Sequence, residues 1–264
     1  MKLLTLNCHS WQEENQLEKI QYLAKTIQEK SYDIIALQEV SQSIDMPNVY
    51  GNIKKDNFAL ILLNELQKLG VTDYQFTWDF SHSGYEVYEE GLALLTKHPI
   101  EKKHSFFVSH SKDMNNWKTR KIVGLTIQYK NQPISFYSCH LGWWHDEEEP
   151  FQYQVDSLLQ QVQKDSTFFL MGDFNNATSI KGEGYNYLLN QGLYDTYELA
   201  HTKDNGVTVK GKIAGWDHNK QDLRIDLILT NQPVQIEYSR VIFNDVNQSI
   251  ISDHFGIEAK VKNI

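Results

Sequence analysis

The sequence predicts a mixed α/β domain built on two sheets. Three observations carry that expectation. The chain opens strand–helix–strand, short apolar runs outnumber helical periods along the rest, and no linker, repeat or low-complexity tract interrupts residues 1–264, so one domain is expected. KLLTLN (2–7) reads as a short buried strand. Leu17, Ile20, Leu23, Ala24 and Ile27 recur at helical spacing over 14–30, and DIIALQ (33–38) is a second apolar run too short for a helix. NFALILLNELQKL (57–69) reads as a helix with Gly70 just past its end. Strand-like runs follow at 74–80, 92–96, 100–108, 121–129 and 134–140. In IVGLTIQY the residues Val123, Leu125, Ile127 and Tyr129 share one face, and the turn KNQP (130–133) joins this run to ISFYSCH as a hairpin. PFQYQVDSLLQQVQ (150–163) predicts a helix opened by Pro150, and FFLMGD (168–173) a strand. Residues 195–220 have no period and read as a long connection; 223–230, 234–243 and 257–261 read as late strands.

Composition narrows the function classes. With 41% hydrophobic, 22% charged and 12% aromatic residues the chain is neither disordered, collagen-like nor a coiled coil. At 264 residues it is long enough to bury roughly 70–75% of its unfolded surface without staples. Cys8 and Cys139 are too few for a disulfide framework and read as reduced thiols, with a single bridge left open. The net charge of -9 disfavours a protein that grips long nucleic acid, because that binding neutralises many phosphates. It leaves room for a small anion held by a few local cations. The start, MKLLTLNCHSWQEENQ, lacks a signal-peptide pattern and no apolar run approaches ~18 residues, so a cytoplasmic protein without a membrane partner is expected.

Polar residues stand at the ends of the predicted strands. Asn7 ends the first and Glu39 follows the second. His140 ends the hairpin strand, Asp173 and Asn175 follow FFLMG, and Asp253 with His254 opens the last strand. Each alone has an ordinary explanation as a turn cap, a solvated carboxylate or a core histidine. Together they form a chemical set at the place where α/β folds gather their sites. Carboxylate and amide oxygens are hard ligands suited to Mg²⁺ or Mn²⁺, and histidine exchanges protons near neutral pH. Metal, carboxylate and histidine together can cleave a phosphate ester. No spacing for zinc, no phosphate-binding glycine loop and no serine elbow is present.

The motifs LTLN (4–7), LQEV (37–40), EGLALL (90–95), SCHLG (138–142), GDFN (172–175), RIDLI (224–228) and SDH (252–254) occur in an order that resembles the endonuclease/exonuclease/phosphatase superfamily, over residues 4–254. The resemblance implies a four-layer sandwich, two mixed β-sheets face to face with helices outside, and Mg²⁺-dependent phosphoester hydrolysis, with Mn²⁺ as the other candidate ion. It implies that Glu39 is the main metal ligand, with Asn7 beside it and Asp253 touching a metal. Asp173 would orient or deprotonate the attacking water, and Asn175 would hold a phosphoryl oxygen. Asp226 and His254 resemble a carboxylate–imidazole pair, His140 a second histidine with Glu90 as its carboxylate, and Arg120 a phosphate-binding cation or, equally, a solvated loop arginine. One departure concerns a second metal: where some DNA-repair members carry a further Asp, this chain has His9.

The superfamily leaves the substrate open. After His140 the chain reads LGWWHDEEEPFQYQ, which puts Trp143 and Trp144 next to the candidate histidine; flat aromatics there stack on a sugar ring or a base, or one of the two packs under the loop. The acidic residues 146–149 would accept hydrogen bonds from sugar hydroxyls, or serve only as charges ahead of the next helix. This loop and the opening LTLNCHSWQEENQLEK are similar to bacterial members resembling maltose 6′-phosphate phosphatases. The expectation is therefore hydrolysis of a sugar phosphate monoester. A nuclease or sphingomyelinase-like diesterase is the alternative, and a non-catalytic binding module is disfavoured by the complete set of site residues.

Overall fold

Alternation along the strands sorts the side chains of this protein into layers. The computed structural model describes residues 1–162 and 166–263. In chain order the elements are β1 (Lys2–Asn7), α1 (Gln16–Lys30), β2 (Ile34–Ser43), β3 (Asn48–Tyr50), β4 (Ile53–Lys54), α2 (Phe58–Lys68), β5 (Gln75–Gly84), β6 (Tyr88–Thr96), β7 (Ile100–Phe107), β8 (Lys121–Tyr129), β9 (Gln132–His140) and α3 (Phe151–Gln161). They continue with β10 (Thr167–Asp173), α4 (Gly184–Asn190), β11 (Tyr194–Asp195), α5 (Thr196–Leu199), β12 (Ala200–Lys203), β13 (Asp226–Thr230), β14 (Gln235–Ile242) and β15 (Gly256–Asn263). One sheet has seven strands in the order β12-β14-β15-β1-β2-β6-β5, the other six in the order β11-β13-β10-β9-β8-β7. Both are mixed: β1 pairs parallel with β2 and antiparallel with β15, and β10 pairs parallel with β9 and antiparallel with β13.

Three apolar clusters stack through the sandwich. Leu3, Ile34, Ala36 and Leu94 of the first sheet meet Ile134, Phe136, Phe169, Met171 and Ile228 of the second. Behind the first sheet, Leu4, Leu6, Ile35 and Leu37 pack on α1 and α2 through Ile20, Leu23, Ile27, Leu62 and Leu66. Behind the second, Leu170, Leu227 and Leu229 pack on α3 and α4 through Phe151, Val155, Leu158 and Leu188. The result is the predicted four-layer arrangement of two sheets with helices outside.

The inward positions also run from apolar to polar along each strand. In β1 they read Leu3, Thr5, Asn7; in β9 Ile134, Phe136, Ser138, His140; in β10 Phe169, Met171, Asp173. The polar ends all fall at one end of the sandwich. Gln38 sits just below them, donating to Ser138 Oγ across the sheets at 2.9 Å, while Ser138 Oγ donates to the Leu37 carbonyl at 2.9 Å.

Several expectations shift. β2 extends to Ser43, so Glu39 lies inside a strand rather than after it, and β6 begins at Tyr88, which brings Glu90 into the sheet. The 195–220 stretch is not one structureless connection: its first part carries α5 and β12. β12 (AHTK) is an exposed edge strand with no apolar alternation, and α4 spans only seven residues, less than a readable helical period. The predicted 150–163 helix ends at Gln161, and Gln163 lies outside the described residues. Among the described residues no helix is long and apolar enough to cross a membrane. Both cysteines are free and buried, and burial pushes the Cys8 thiol well above its usual range, so it is held as an inert thiol.

Glu258 in β15 is a buried structural anion, accepting from Tyr32 Oη at 2.6 Å, Lys30 Nζ at 3.0 Å and Asn247 Nδ2 at 3.3 Å, with Arg240 Nε at 3.1 Å. Burial works against its charge, but Tyr32, Lys30 and Asn247 hold its pKa below the usual carboxylate value. Its contribution to stability is therefore complete above the unfolded carboxylate pKa of about 4.3 and is lost as pH falls through the lower folded value. Replacing it, Glu258→Ala, leaves the buried Tyr32 hydroxyl without its acceptor and costs about 2–4 kcal/mol at pH 7, with a smaller cost near pH 3. Urea unfolding at both pH values measures this.

Candidate active site

Register brings the polar strand ends side by side. Asp173 in β10 stands directly opposite His140 in β9 and Asp226 in β13, so three neighbouring strands each deliver one chemical group. Gly172 makes this possible. Its φ of +148° is glycine territory, and a Cβ there would lie 2.0 Å from the Cys139 carbonyl oxygen. Across the sandwich, Glu39 owes its position to a β-bulge. Its neighbours Leu37 and Val40 both pack into the outer layer, and pairing with β6 slips between them. Glu39 absorbs the extra residue at φ +50° and turns inward, its carbonyl accepting from the Ser10 amide at 3.3 Å and from the Ser10 hydroxyl.

The side chains then meet. Asn7 is fully buried and its amide donates to Glu39 Oε1 at 2.8 Å and Asp173 Oδ2 at 3.2 Å, tying the two sheets together. His140 Nε2 lies 3.9 Å from Glu39 Oε1 and 3.8 Å from Asp173 Oδ2. His254 Nδ1 lies 3.0 Å from Asp226 Oδ2, and because a carboxylate only accepts, Nδ1 carries the proton; Nε2 faces Asp173 Oδ2 at 3.8 Å. Asn175, in the left-handed conformation at φ +49°, donates its backbone N–H to Asp173 Oδ1 at 2.8 Å.

The electrostatics follow from crowding. Burial, then repulsion from Asp253, raises the Glu39 carboxyl; burial and Glu39 push Glu90 up to about 8. Burial raises Asp173 to about 7 even though His254 opposes it. Burial also disfavours a charged His254, but Asp226 and Asp173 outweigh it and hold its pKa well above the usual value. His140 goes the other way: burial and the Arg120 guanidinium drive its pKa well down, so its ring is neutral.

These groups open into a cavity of about 630 Å³. Glu39, Glu90, Arg120, His140, Asp173, Asn175 and His254 line it together with Trp143. Arg120 is not a solvated loop residue; it is 4% exposed, its Nη1 donating to the Trp117 carbonyl at 2.7 Å, and it faces the carboxylates. Asn7 and Asp226 lie behind this surface, supporting Glu39 and His254. Asp253 lies to one side, its Oδ1 3.7 Å from His9 Nδ1, in a group with Glu13.

Three expectations need correction. Trp144 does not reach the cavity. Its ring packs on Phe151 and Tyr187 at centroid distances of 6.2 and 5.8 Å, because the loop needs an apolar anchor on α3 and α4. The acidic residues 146–149 are not sugar acceptors either. Asp146 and Glu148 pair with Lys118 at 2.9 and 2.8 Å, and buried Glu149 accepts the His110 and Ser111 amides, both at 2.7 Å. Glu90 is not hydrogen-bonded to His140, which lies 4.0 Å away; its nearer imidazole is His82 at 3.4 Å.

His82 was missed because the readable alternation ends at Phe80, while β5 runs on to Gly84 and carries His82 near its end. It is buried on the cavity wall, and burial and Arg120 lower its pKa to about 3. Trp216 was missed too, sitting in the aperiodic stretch. Its indole N–H donates to Asn175 Oδ1 at 3.1 Å, while Asn175 Nδ2 donates to the Leu141 carbonyl at 3.0 Å. The two contacts set the orientation of the amide. Trp216→Phe, which removes one hydrogen bond worth about 1 kcal/mol, is expected to lower kcat about fivefold. An unchanged kcat at saturating substrate would mean that Asn175 needs no such support.

The residues fit a divalent cation. The carboxyls of Glu39, Glu90 and Asp173 are crowded together and raised first by burial and then by repulsion from neighbouring carboxylates, and clustered oxygen donors of this kind suit Mg²⁺ or Mn²⁺. The Asp173, Asp226 and His254 ligand atoms also lie within 4.8 Å of one another, but there the imidazole N–H already satisfies Asp226.

Comparison with known proteins gives a consistent outline. The sequence profile of the Endonuclease/Exonuclease/phosphatase family matches residues 4–254. An endonuclease/exonuclease/phosphatase family protein from Leptotrichia buccalis is similar at 43% identity and a TM-score of 0.93, covering 99% of each chain. At 16% identity, a mannosyl-6-phosphatase from Bacteroides thetaiotaomicron shares the fold with a TM-score of 0.72 over 99% of each chain. D. rerio TDP2 complexed with a single-strand DNA product shares it at 15% identity and 0.66, over 100% of this chain and 99% of that one. No functionally curated protein matches.

Proposed function

Since the chain belongs to the endonuclease/exonuclease/phosphatase family, whose members hydrolyse phosphoesters, we propose that it releases phosphate from a sugar phosphate monoester. The observation that carries this reading is the charge of the cavity. Among the described lining residues Arg120 is the sole lysine or arginine, against Glu39, Glu86, Glu90, Asp173 and Asp217. Such a wall accepts one phosphate group at the catalytic end and repels a second, which disfavours a polynucleotide backbone. A sugar phosphatase among the proteins of the same fold adds plausibility.

Glu39, held in place by Asn7 and with Asp253 beside it, would hold the cation, which when bound would neutralise phosphoryl oxygens and lower the cost of attack. The chain's own groups do the rest. Asp173 orients the attacking water and takes its proton, kept in place by the Asn7 and Asn175 hydrogen bonds. Arg120 and the amide of Asn175 hold the phosphoryl oxygens. As the P–O bond to the sugar breaks, His254, kept charged by Asp226, gives its Nε2 proton to the leaving sugar oxygen, while neutral His140 donates a hydrogen bond to a phosphoryl oxygen. Trp143 offers the sugar an aromatic face on the cavity wall.

The test measures phosphate release from sugar monophosphates, maltose 6′-phosphate among them, with Mg²⁺ and with EDTA, beside nicking of supercoiled plasmid. EDTA-sensitive release without nicking supports the reading. Nicking without monoester turnover replaces it with the diesterase alternative.

A further inference from the structure

Trp117 is the feature of the cavity that the catalytic cluster leaves unexplained. It lies in the connection between β7 and β8, lines the cavity, and is 53% exposed. Exposed indoles on mobile loops are common; this loop is pinned. Glu149 accepts the amides of His110 and Ser111, Thr119 Oγ1 donates to the Asp113 carbonyl at 2.6 Å, and Lys118 is held by Asp146 and Glu148. The Trp117 carbonyl itself accepts from Arg120 Nη1, so the indole stands three residues from the cation that faces the catalytic carboxylates.

Trp117 meets Trp143 edge-on, ring centroids 6.0 Å apart at 60°. Trp143 is backed in turn by Gly215, where a Cβ would come within 2.5 Å of the ring. The two indoles thus make a corner in the cavity wall, carried on loops held in place before any ligand arrives. Nearby lining groups Asn115, Glu86 and Asp217 offer oxygen acceptors, and the ammonium close to the corner, Lys118 Nζ at 5.7 Å from the Trp117 ring centroid, is already paired with Asp146 and Glu148. An apolar face beside acceptors suits a pyranose, which presents C–H groups on its face and hydroxyl donors on its edge.

We propose that Trp117 and Trp143 form a sugar-ring subsite and that Trp117 determines the preference for phosphorylated sugars over ringless phosphate esters. This rests on the monoester reading of the same site. The step is binding only; the ring stacks while its phosphate reaches Arg120.

The experiment compares Trp117→Ala and Trp117→Phe with the unaltered enzyme on a hexose 6-phosphate, a disaccharide 6-phosphate, adenosine 5′-monophosphate and glycerol 1-phosphate as the ringless ester. The expected result for Trp117→Ala is a KM ratio, sugar phosphate over glycerol 1-phosphate, that rises about tenfold, with Trp117→Phe recovering most of the loss. Thermal melts check that both variants fold. An unchanged ratio overturns the subsite while phosphate release from the sugar esters keeps the monoester reading. A lower KM for the nucleotide than for any sugar phosphate, lost on Trp117→Ala, overturns it in favour of a base-binding wall. Absence of monoester turnover in the unaltered enzyme overturns the reading and the subsite together.

Discussion

His254→Ala lowers kcat for phosphate release about 10²–10⁴-fold, the usual worth of a positioned acid–base group. The size follows from the pair it belongs to. Asp226 Oδ2 lies 3.0 Å from His254 Nδ1, and both residues are at least 95% buried, so the charged ring is held in one orientation against Asp173. Alanine removes that charge and leaves Asp226 buried without its partner. Some stability is lost as well, so the comparison must be made on protein shown by thermal melt to be folded. Asp226→Asn is the companion: it keeps the shape but weakens the hold on the proton, and a loss smaller than that of alanine is expected. A His254→Ala enzyme retaining more than about half the original kcat would remove His254 from the mechanism.

If Glu39 holds the cation as proposed, Glu39→Gln is expected to shift the dependence on added Mg²⁺ by about 100-fold or more toward higher concentration and to lower kcat at any fixed concentration below saturation. The argument is electrostatic. Glutamine preserves size and can still accept from Asn7 Nδ2, which now donates to Glu39 at 2.8 Å, but it deletes the negative charge that a hard cation requires. It also relieves the repulsion that raises Glu90, so the fold does not suffer. Titrating activity with Mg²⁺, and binding of Mn²⁺ by calorimetry, read the shift independently of one another. Coincident titration curves for the two proteins would assign the cation elsewhere.

The positions of the site were readable because strand alternation is local. Asn7, His140 and Asp173 each continue an inward row of apolar residues, and a polar residue ending such a row at the edge of a core calls for a role. The pairings were not readable from that pattern. Glu39 appeared to follow a strand because the bulge hides in ordinary sequence: alternation through Gln38 and Val40 would have sent it outward. His82 was invisible because it lies past the readable run at 74–80, and only pairing with β6, which continues β5 to Gly84 through a register shift, places Glu90 opposite it. Of adjacent Trp143 and Trp144 the sequence allowed one to pack under the loop without saying which, and the anchoring of the loop on α3 and α4 decided that it is Trp144.

By itself the sequence determined the two-sheet α/β class, most strands and long helices, and the identities of the groups gathered at one end of the sandwich. Those depend on hydrophobic periodicity and short motifs, which each segment carries within itself. Tertiary structure alone decided the register that sets Asp173 between His140 and Asp226, the bulge that turns Glu39 inward, the burial of Arg120, and the cavity wall formed by Trp117, Trp143 and the loop at 214–217. Each of these is fixed by contacts between segments far apart in the chain, where packing and desolvation outweigh local preference.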